Sequence, residues 1–150
     1  MDKKIEAIKG IIQDLLNHLE VKATISVSEG EENSVAIQLE TDQPGVLIGY
    51  HGETLAAIQL IVSMIAYRKF GEWTRILVNV GDYRERRKEV LERMALAVAQ
   101  RAKFSGQSQA LPPMSAFERR IIHLTLTGDS ELETASEGEG KDRHVVIKPK

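Results

Sequence analysis

The sequence predicts an α+β protein made of two small tandem domains. Segments with apolar residues at helical spacing alternate along the chain with segments of strand-like alternation. Over residues 1–80 the predicted order is α-β-β-α-α-β, and over residues 82–150 it is α-β-α-β-β. A length of 150 residues suits one ordinary domain or two small ones. The junction of one or two residues is too short to act as a flexible linker.

The first half begins with an amphipathic helix predicted over residues 3–19, where isoleucine and leucine recur at helical spacing. Two strands follow, at 21–28 and 34–40, and the turn between them predicts a hairpin. After a short helical turn, residues 53–69 are predicted to form a second helix, and residues 76–80 a buried apolar strand. The expected apolar face of that second helix consists of Leu55, Ile58, Val62, Ile65 and Ala66.

The second half is predicted to begin with a helix over residues 83–103, because Asp82 and Glu85 have the spacing of an N-cap pair. A short strand over 107–111 ends at two prolines. The segment from Ser115 to Glu118 is a capping box, so a helix is expected to start there. A hairpin of residues 131–136 and 143–147 ends the chain. The expected core side chains of the helix that follows Ser115 are Phe117, Ile121 and Leu124.

Composition narrows the class of protein. With 42% hydrophobic and 28% charged residues, the chain is globular rather than disordered. It has no cysteine, which excludes disulfides and thiolate metal sites and suits the cytosol. No signal peptide is apparent, and the longest apolar run, Leu55 to Tyr67, is too short to span a bilayer. The net charge is −2, but residues 82–127 carry +4, so attraction for phosphate is expected there.

The most informative motif is a two-glycine loop inside the run Val46–Leu55, placed after a hairpin and before an apolar helix. Glycines three positions apart allow a tight turn and the close approach of a ligand, and the amides that open the next helix favour an anion. The alternative is a helix–helix corner in which the glycines only permit the turn. With its surroundings, the motif resembles the loop of bacterial KH domains, over roughly residues 3–80.

The KH resemblance implies an RNA-binding role for particular residues. In such domains the loop holds the sugar-phosphate backbone and an adjacent apolar groove receives the bases. KH loops usually include a lysine or arginine between the glycines, whereas this chain has Tyr50 and His51, so binding by this half alone is expected to be weak. The residues that the resemblance assigns to the loop and the groove are Ile48, Gly49, Tyr50, His51, Gly52, Leu55 and Ile58.

A second motif places Arg119 and His123 four residues apart, on one face of a helix. A guanidinium matches phosphate oxygens, and an imidazole one turn away can donate to the same backbone or stack on a base. The alternative is a solvated face or a local pair with Glu118. With its Pro-Pro-Met start, the segment Leu111–His123 resembles the R-3-H (Arg-x-x-x-His) domain, which is associated with single-stranded nucleic acid. Further candidate contacts are Arg120 and a basic strip with a neighbouring ring, namely Tyr83, Arg84, Arg87 and Lys88.

The order of the two motifs resembles the Jag family, also called SpoIIIJ-associated or KhpB-type bacterial RNA-binding proteins. That resemblance implies a cytoplasmic protein that binds single-stranded RNA, with no membrane contact and with a stand-alone KH protein as partner. Whether single-stranded DNA is also accepted stays open. Many members carry an extra N-terminal domain and a long linker, whereas this chain starts at the KH helix.

No catalytic residue, metal site or cofactor is expected. The four histidines are isolated in sequence, and no phosphate-binding Gly-Lys-Ser/Thr signature is present. A nuclease interpretation would use Glu118, which is better explained as the capping-box carboxylate. The alternative function of a different class is a protein-interaction adaptor in cell elongation, division or sporulation, for which nucleic-acid binding would be incidental.

Overall fold

A computed structural model describes all 150 residues, which divide into two compact units, Met1–Arg84 and Glu85–Lys150. The observed order of helices and strands confirms the α+β class. The first unit contains α1 (Asp2–His18), β1 (Thr24–Glu29), β2 (Val35–Glu40), α2 (Pro44–Ile48), α3 (Glu53–Phe70) and β3 (Ile76–Val80). The remaining elements are α4 (Tyr83–Ser105), β4 (Gln109–Ala110), α5 (Ala116–Leu126), β5 (Leu132–Glu137) and β6 (His144–Pro149).

The sheet of the first unit has β2 in its centre. This strand pairs antiparallel with β1 and parallel with β3, in a register that puts Val35 opposite Ile76. Helices α1 and α3 contribute to the same core, which explains their apolar residues at helical spacing. The fully buried side chains that α1, β2 and α3 contribute include Ile8, Ile12, Leu16, Val35, Ile37, Leu39, Leu55 and Val62.

Two details of the first unit differ from the sequence-based expectation. Strand β3 lies at an edge of the sheet, and its Leu77 is exposed, so the continuous apolar run does not mark a strand covered on both faces. On α3, Ile65 is exposed rather than part of the core face, since Val62 and Ala66 already face the sheet on either side of it. Apolar character alone is therefore a poor guide to burial at these two positions.

The second unit has an antiparallel sheet with the strand order β4-β6-β5. Its core joins α4, α5 and the sheet, and includes Leu91, Ala95, Val98, Ile122, Leu126, Val145 and Ile147. The core face of α5 is therefore formed by Ile122 and Leu126. The expectation for Phe117 and Leu124 was wrong, because these residues are 66% and 64% exposed, while Ile121 is only partly buried.

One helical stretch, Pro44–Phe70, is long and apolar enough, by length and composition only, to cross a membrane. It comprises α2, the intervening glycine loop and α3, and the inner face of α3 belongs to the core of the first unit. Its apolar composition arises because the outer face of α3 is apolar as well, with Leu60, Ile61 and Met64 exposed. A core helix can meet the same two criteria, and the stretch is weak evidence for a membrane span.

Candidate nucleic-acid interface

The glycine loop between α2 and α3 depends on left-handed backbone conformations. Gly49 has φ 69° and ψ −169°, and Gly52 has φ 81° and ψ 13°. Glycine adopts both without the steric cost that a side chain would add. The Gly49 N–H donates to the Gly45 carbonyl at 3.0 Å, and the Gly52 N–H donates to the Gly49 carbonyl at 3.4 Å. The loop is thus a compact turn that leads directly into α3.

Neighbouring side chains also require the two glycines. A Cβ at Gly49 would collide with the side chain of Thr54, and a Cβ at Gly52 would lie 3.0 Å from both Cε1 and the hydroxyl oxygen of Tyr83. The Tyr83 ring therefore packs over Gly52, and it is partly buried against the core of the first unit. The sequence pattern predicts Tyr83 as a stacking ring of the second domain. Here the ring instead supports the loop.

The two residues between the glycines present aromatic rings. Tyr50 and His51 are stacked, with ring centroids 4.0 Å apart and ring planes inclined by 24°. Tyr50 is 72% exposed, and His51 is exposed as well. His51 has φ 50°, a conformation that is uncommon for a residue with a side chain. The tip of the loop is thus an aromatic pair in place of the usual cation.

The predicted apolar groove beside the loop needs a correction. Leu55 and Ile58 are only 1% and 4% exposed, because both lie on the face of α3 that packs against the core. They cannot offer surface to a base in this structure. Ile48, the last residue of α2, is partly buried against the same core, whereas Val46 in the middle of this helix is exposed.

In the second unit, α5 begins as the capping box predicted. Ser115 is the N-cap, and its Oγ accepts a hydrogen bond from the Glu118 N–H at 3.2 Å. The carboxylate of Glu118, however, accepts hydrogen bonds from Arg87 and does not complete the box. Arg119 follows, and its Nε donates to the Met114 carbonyl oxygen at 3.3 Å. One edge of the guanidinium is therefore fixed by the backbone just before the helix.

His123 is held by two hydroxyl groups of β5. Its Nδ1 lies 2.8 Å from Thr134 Oγ1, and its Nε2 lies 3.0 Å from Ser136 Oγ. Burial, and to a lesser extent the positive charge of Arg119, lower the pKa of His123 below its ordinary value. The lowered pKa favours the neutral ring, in which one nitrogen donates while the other accepts. The prediction that this imidazole donates to a nucleic-acid backbone does not fit a ring whose two nitrogens are already bonded.

Sequence reasoning also missed Thr134 and Ser136, although a signal for them exists. They are two residues apart on β5, and strand alternation puts such residues on the same face. That face becomes relevant only when β5 is known to lie against α5.

The predicted basic strip on α4 is mostly engaged in internal bonds. The guanidinium of Arg84 donates through Nε to the Val78 carbonyl oxygen and through Nη2 to Gln59 Oε1, both at 2.9 Å. Arg87 pairs with Glu118 and is mostly buried. These two arginines stabilise the fold, because their guanidinium groups donate to acceptors within the protein, namely Val78, Gln59 and Glu118. Among the predicted cations, Lys88 and Arg120 are exposed.

Both halves of the chain match domain families. The family described as "KhpA/KhpB, KH domain" matches residues 5–78, and the R-3-H domain family matches residues 89–149. The glycine loop falls within the first match, and Arg119 and His123 fall within the second.

Proteins named "RNA-binding protein KhpB" align over nearly the whole chain. The one from Clostridium symbiosum is 36% identical over 146 residues, which cover 97% of this chain and 64% of that protein. The one from Streptococcus pneumoniae serotype 2 is 34% identical over 140 residues, covering 93% and 42%. The chain thus spans less than two thirds of these two relatives. The one from Bacillus subtilis strain 168 is 32% identical over 148 residues, covering 97% and 71%. With a KH domain followed by an R-3-H domain and a relative aligned over most of both lengths, this chain belongs to the KhpB (Jag-type) family.

Proposed function

We propose that this chain is a cytoplasmic protein that binds single-stranded RNA with little sequence preference and thereby acts in post-transcriptional regulation. The contacts would be the loop from Gly49 to Gly52 and the face of α5 that carries Arg119 and His123. The names of the relatives from three bacteria describe them as RNA-binding, which supports RNA as the ligand. Single-stranded DNA would be the second ligand to test.

The geometry of Arg119 is the observation that carries this proposal. Arg119 Nε already donates a hydrogen bond to the Met114 carbonyl oxygen, so a phosphate would be bound through Nη1 and Nη2. Those two nitrogens form a fork that matches two phosphate oxygens. His123 would act as a positioning residue, because its bonds to Thr134 and Ser136 tie α5 to β5.

The glycine loop supplies the other candidate contact. α3 begins at Glu53, directly after Gly52, and no side chain caps its first turn. Amides at a helix N-terminus carry partial positive charge and favour an anion. A sugar-phosphate backbone could approach them closely because Gly49 and Gly52 have no Cβ.

Charge indicates that the second unit would contribute most of the salt-dependent affinity. Residues 1–84 carry 8 Lys or Arg against 12 Asp or Glu, and residues 85–150 carry 12 against 10. The first unit thus has a net charge of −4 and the second a net charge of +2. Phosphate attraction scales with the cations that meet the strand, so overall binding is expected to be moderate and sensitive to salt.

Fluorescence anisotropy with a labelled single-stranded RNA tests the proposal, using Arg119→Ala and, as a matched control, Arg101→Ala. Arg101 is exposed on α4 and is not one of the candidate contacts, so its removal changes net charge equally. The Arg119 variant should bind more weakly, and its salt slope should shrink by about 0.7 for each phosphate that it no longer neutralises. Equal binding by the parent and both variants would refute the proposal.

We propose no catalytic step for this chain. Both carboxylate oxygens of Glu118, the candidate of a nuclease interpretation, accept hydrogen bonds from Arg87. Labelled RNA incubated with the protein and Mg²⁺ should therefore stay intact. Cleavage that Glu118→Gln abolishes would overturn this view.

A protein-interaction adaptor is the second candidate, favoured by the outer face of α3. Leu60, Ile61, Met64 and Ile65 are exposed there, and Tyr67 and Trp73 form a nearby ring pair. Contiguous exposed apolar side chains mark interaction surfaces more often than scattered ones do. A stand-alone KH protein would be the partner in this case.

The adaptor function is tested by co-elution with a stand-alone KH protein from the same cell, after ribonuclease treatment. Met64→Glu should abolish co-elution, and Arg119→Ala should leave it unchanged. Loss of co-elution on ribonuclease treatment alone would mean that RNA bridges the two proteins, which would contradict the adaptor function.

A further inference from the structure

The tip of the glycine loop combines exposure with an ordered aromatic stack. Tyr50 is 72% exposed although one face of its ring is covered by the imidazole of His51. Its other face is consequently open to solvent. His51, the stacking partner, has φ 50°, a left-handed conformation that is uncommon for a residue with a Cβ. Residues held in sparsely populated backbone conformations cluster at ligand-binding sites.

The loop has no cation nearby in sequence to explain phosphate binding. Residues 23–67 contain no lysine or arginine but six acidic residues, namely Glu29, Glu31, Glu32, Glu40, Asp42 and Glu53. Arg84, which follows the supporting ring of Tyr83, directs its guanidinium at Val78 and Gln59. Within this segment, backbone amides are the groups that attract phosphate, and the segment around them is negatively charged. A source of affinity other than charge would therefore strengthen binding at this loop.

We infer that the open face of the Tyr50 ring is a stacking site for an unpaired nucleobase of the RNA strand that the loop holds. This inference rests on the proposed RNA binding and adds a specific ligand chemistry to it. Every base has a π-face, so the contact tolerates different sequences, and its strength does not depend on neutralising phosphates. The His51 ring supports Tyr50 from behind and keeps the platform in one orientation. Purines, with their larger rings, bind better than pyrimidines.

Abasic RNA separates base stacking from backbone contact. We would compare a labelled oligoadenylate with an abasic strand of the same length, using the full chain, its Tyr50→Ala variant and its Tyr50→Phe variant. Tyr50→Ala should weaken oligoadenylate binding by about tenfold. Tyr50→Phe should bind like the parent, because it keeps the ring. The abasic strand should bind the parent and both variants equally.

The salt slope provides an independent measurement. Tyr50→Ala should lower affinity without changing the slope, whereas Arg119→Ala should change the slope. In NMR spectra, oligoadenylate should shift the Tyr50 ring protons upfield, and the abasic strand should not. Because Tyr50 is exposed, the thermal midpoint of its variants should match that of the parent, and this comparison checks that they fold.

Three results would overturn the inference while leaving the proposed RNA binding in place, provided Arg119→Ala still weakens binding. The first is unchanged oligoadenylate affinity in Tyr50→Ala. The second is an equal loss for the oligoadenylate and the abasic strand, which would indicate a backbone contact. The third is a loss in Tyr50→Phe as large as in Tyr50→Ala, which would assign the contact to the hydroxyl. A parent chain that binds no RNA would refute the proposed function and this inference together.

Discussion

Arg87 on α4 and Glu118 on α5 form a forked ion pair that joins the two helices of the second unit. Arg87 Nε lies 2.8 Å from Glu118 Oε1, and Arg87 Nη2 lies 3.3 Å from Oε2. Both side chains are mostly buried, with 17% and 10% of their surface exposed. Glu118 is also the residue directly before Arg119, so this pair fixes the helix turn that carries the Arg119 guanidinium, the candidate phosphate contact.

Removing one partner of this pair should destabilise the second unit strongly. Glu118→Ala removes the carboxylate that two nitrogens of the mostly buried Arg87 bond, and we expect a loss of about 3–5 kcal/mol in the free energy of unfolding. Urea unfolding followed by far-UV circular dichroism measures this loss. The single tryptophan, Trp73, belongs to the first unit, so its fluorescence follows that unit in the same samples.

The double variant Arg87→Met with Glu118→Leu is the matched control. It removes both charges and fills the space with apolar atoms, so it should recover most of the lost stability. A loss below about 1 kcal/mol in Glu118→Ala would show that the pair behaves like a solvent-exposed one.

Acid should weaken the second unit through His123. Because the folded pKa of this residue lies below its unfolded value of about 6.5, the unfolded chain binds the proton more readily. Its contribution to stability is therefore fully present above the unfolded pKa and is lost as the pH falls through and below that value. His123→Gln cannot be protonated and should show a shallower fall in stability between about pH 7 and pH 5.

Urea midpoints at several pH values test this pH dependence. His18→Gln, at the exposed end of α1 in the first unit, serves as the control and should keep the slope of the parent chain. An identical slope for His123→Gln and the parent would contradict the lowered pKa of His123.

The glycine loop should tolerate alanine at Gly45 and not at Gly52. At Gly52 the backbone has φ 81°, which is strained for alanine, and an added methyl would also press against the Tyr83 ring. We therefore expect a loss of about 1–3 kcal/mol in the free energy of unfolding of the first unit. Gly45 lies inside α2 with no atom near its missing Cβ, so alanine there should be neutral or stabilising by about 0.5–1 kcal/mol. Unfolding followed by Trp73 fluorescence distinguishes them. Equal stability of the two variants would refute this packing of Tyr83 on Gly52.

The two apolar faces of α5 should differ in their sensitivity to truncation. Ile122→Ala opens a cavity in the core and should cost about 2–5 kcal/mol. Leu124→Ala, two residues further along the same helix, should change stability by less than about 0.5 kcal/mol because Leu124 is exposed. Circular dichroism during thermal unfolding measures both. Comparable losses would mean that Leu124 is covered in solution.

The order of helices and strands could be predicted because its signals are local. Ile8, Ile12 and Leu16 recur at the period of a helix, and all three are buried in α1. The Ser115 cap marked the first turn of α5, and the two glycines marked the loop before α3. Each of these signals depends on residues close together in the chain, where sequence spacing and spatial distance correspond.

The side-chain environments could not be predicted in the same way. Helix α5 has two apolar stripes, and periodicity does not indicate which one meets the core, so Phe117 was placed inside instead of Ile122. Arg87 reaches Glu118 across 31 positions of sequence, and only the packing of α4 on α5 makes that partner available. Likewise, the sequence places Leu55 on the apolar face of a helix, but it does not show whether that face is buried. The resemblance to KH domains suggested that Leu55 lines an exposed groove.

The parallel pairing of β2 with β3 makes the intervening segment a crossover connection, which must return the chain to the same end of the sheet. Residues 41–75 form that crossover, and they include the Gly49–Gly52 corner and its tyrosine. The two ends of this segment continue into the paired strands β2 and β3. The glycine loop therefore depends on the folded sheet for its shape. On heating, ligand binding by the glycine loop should consequently be lost in the same cooperative transition that unfolds the sheet.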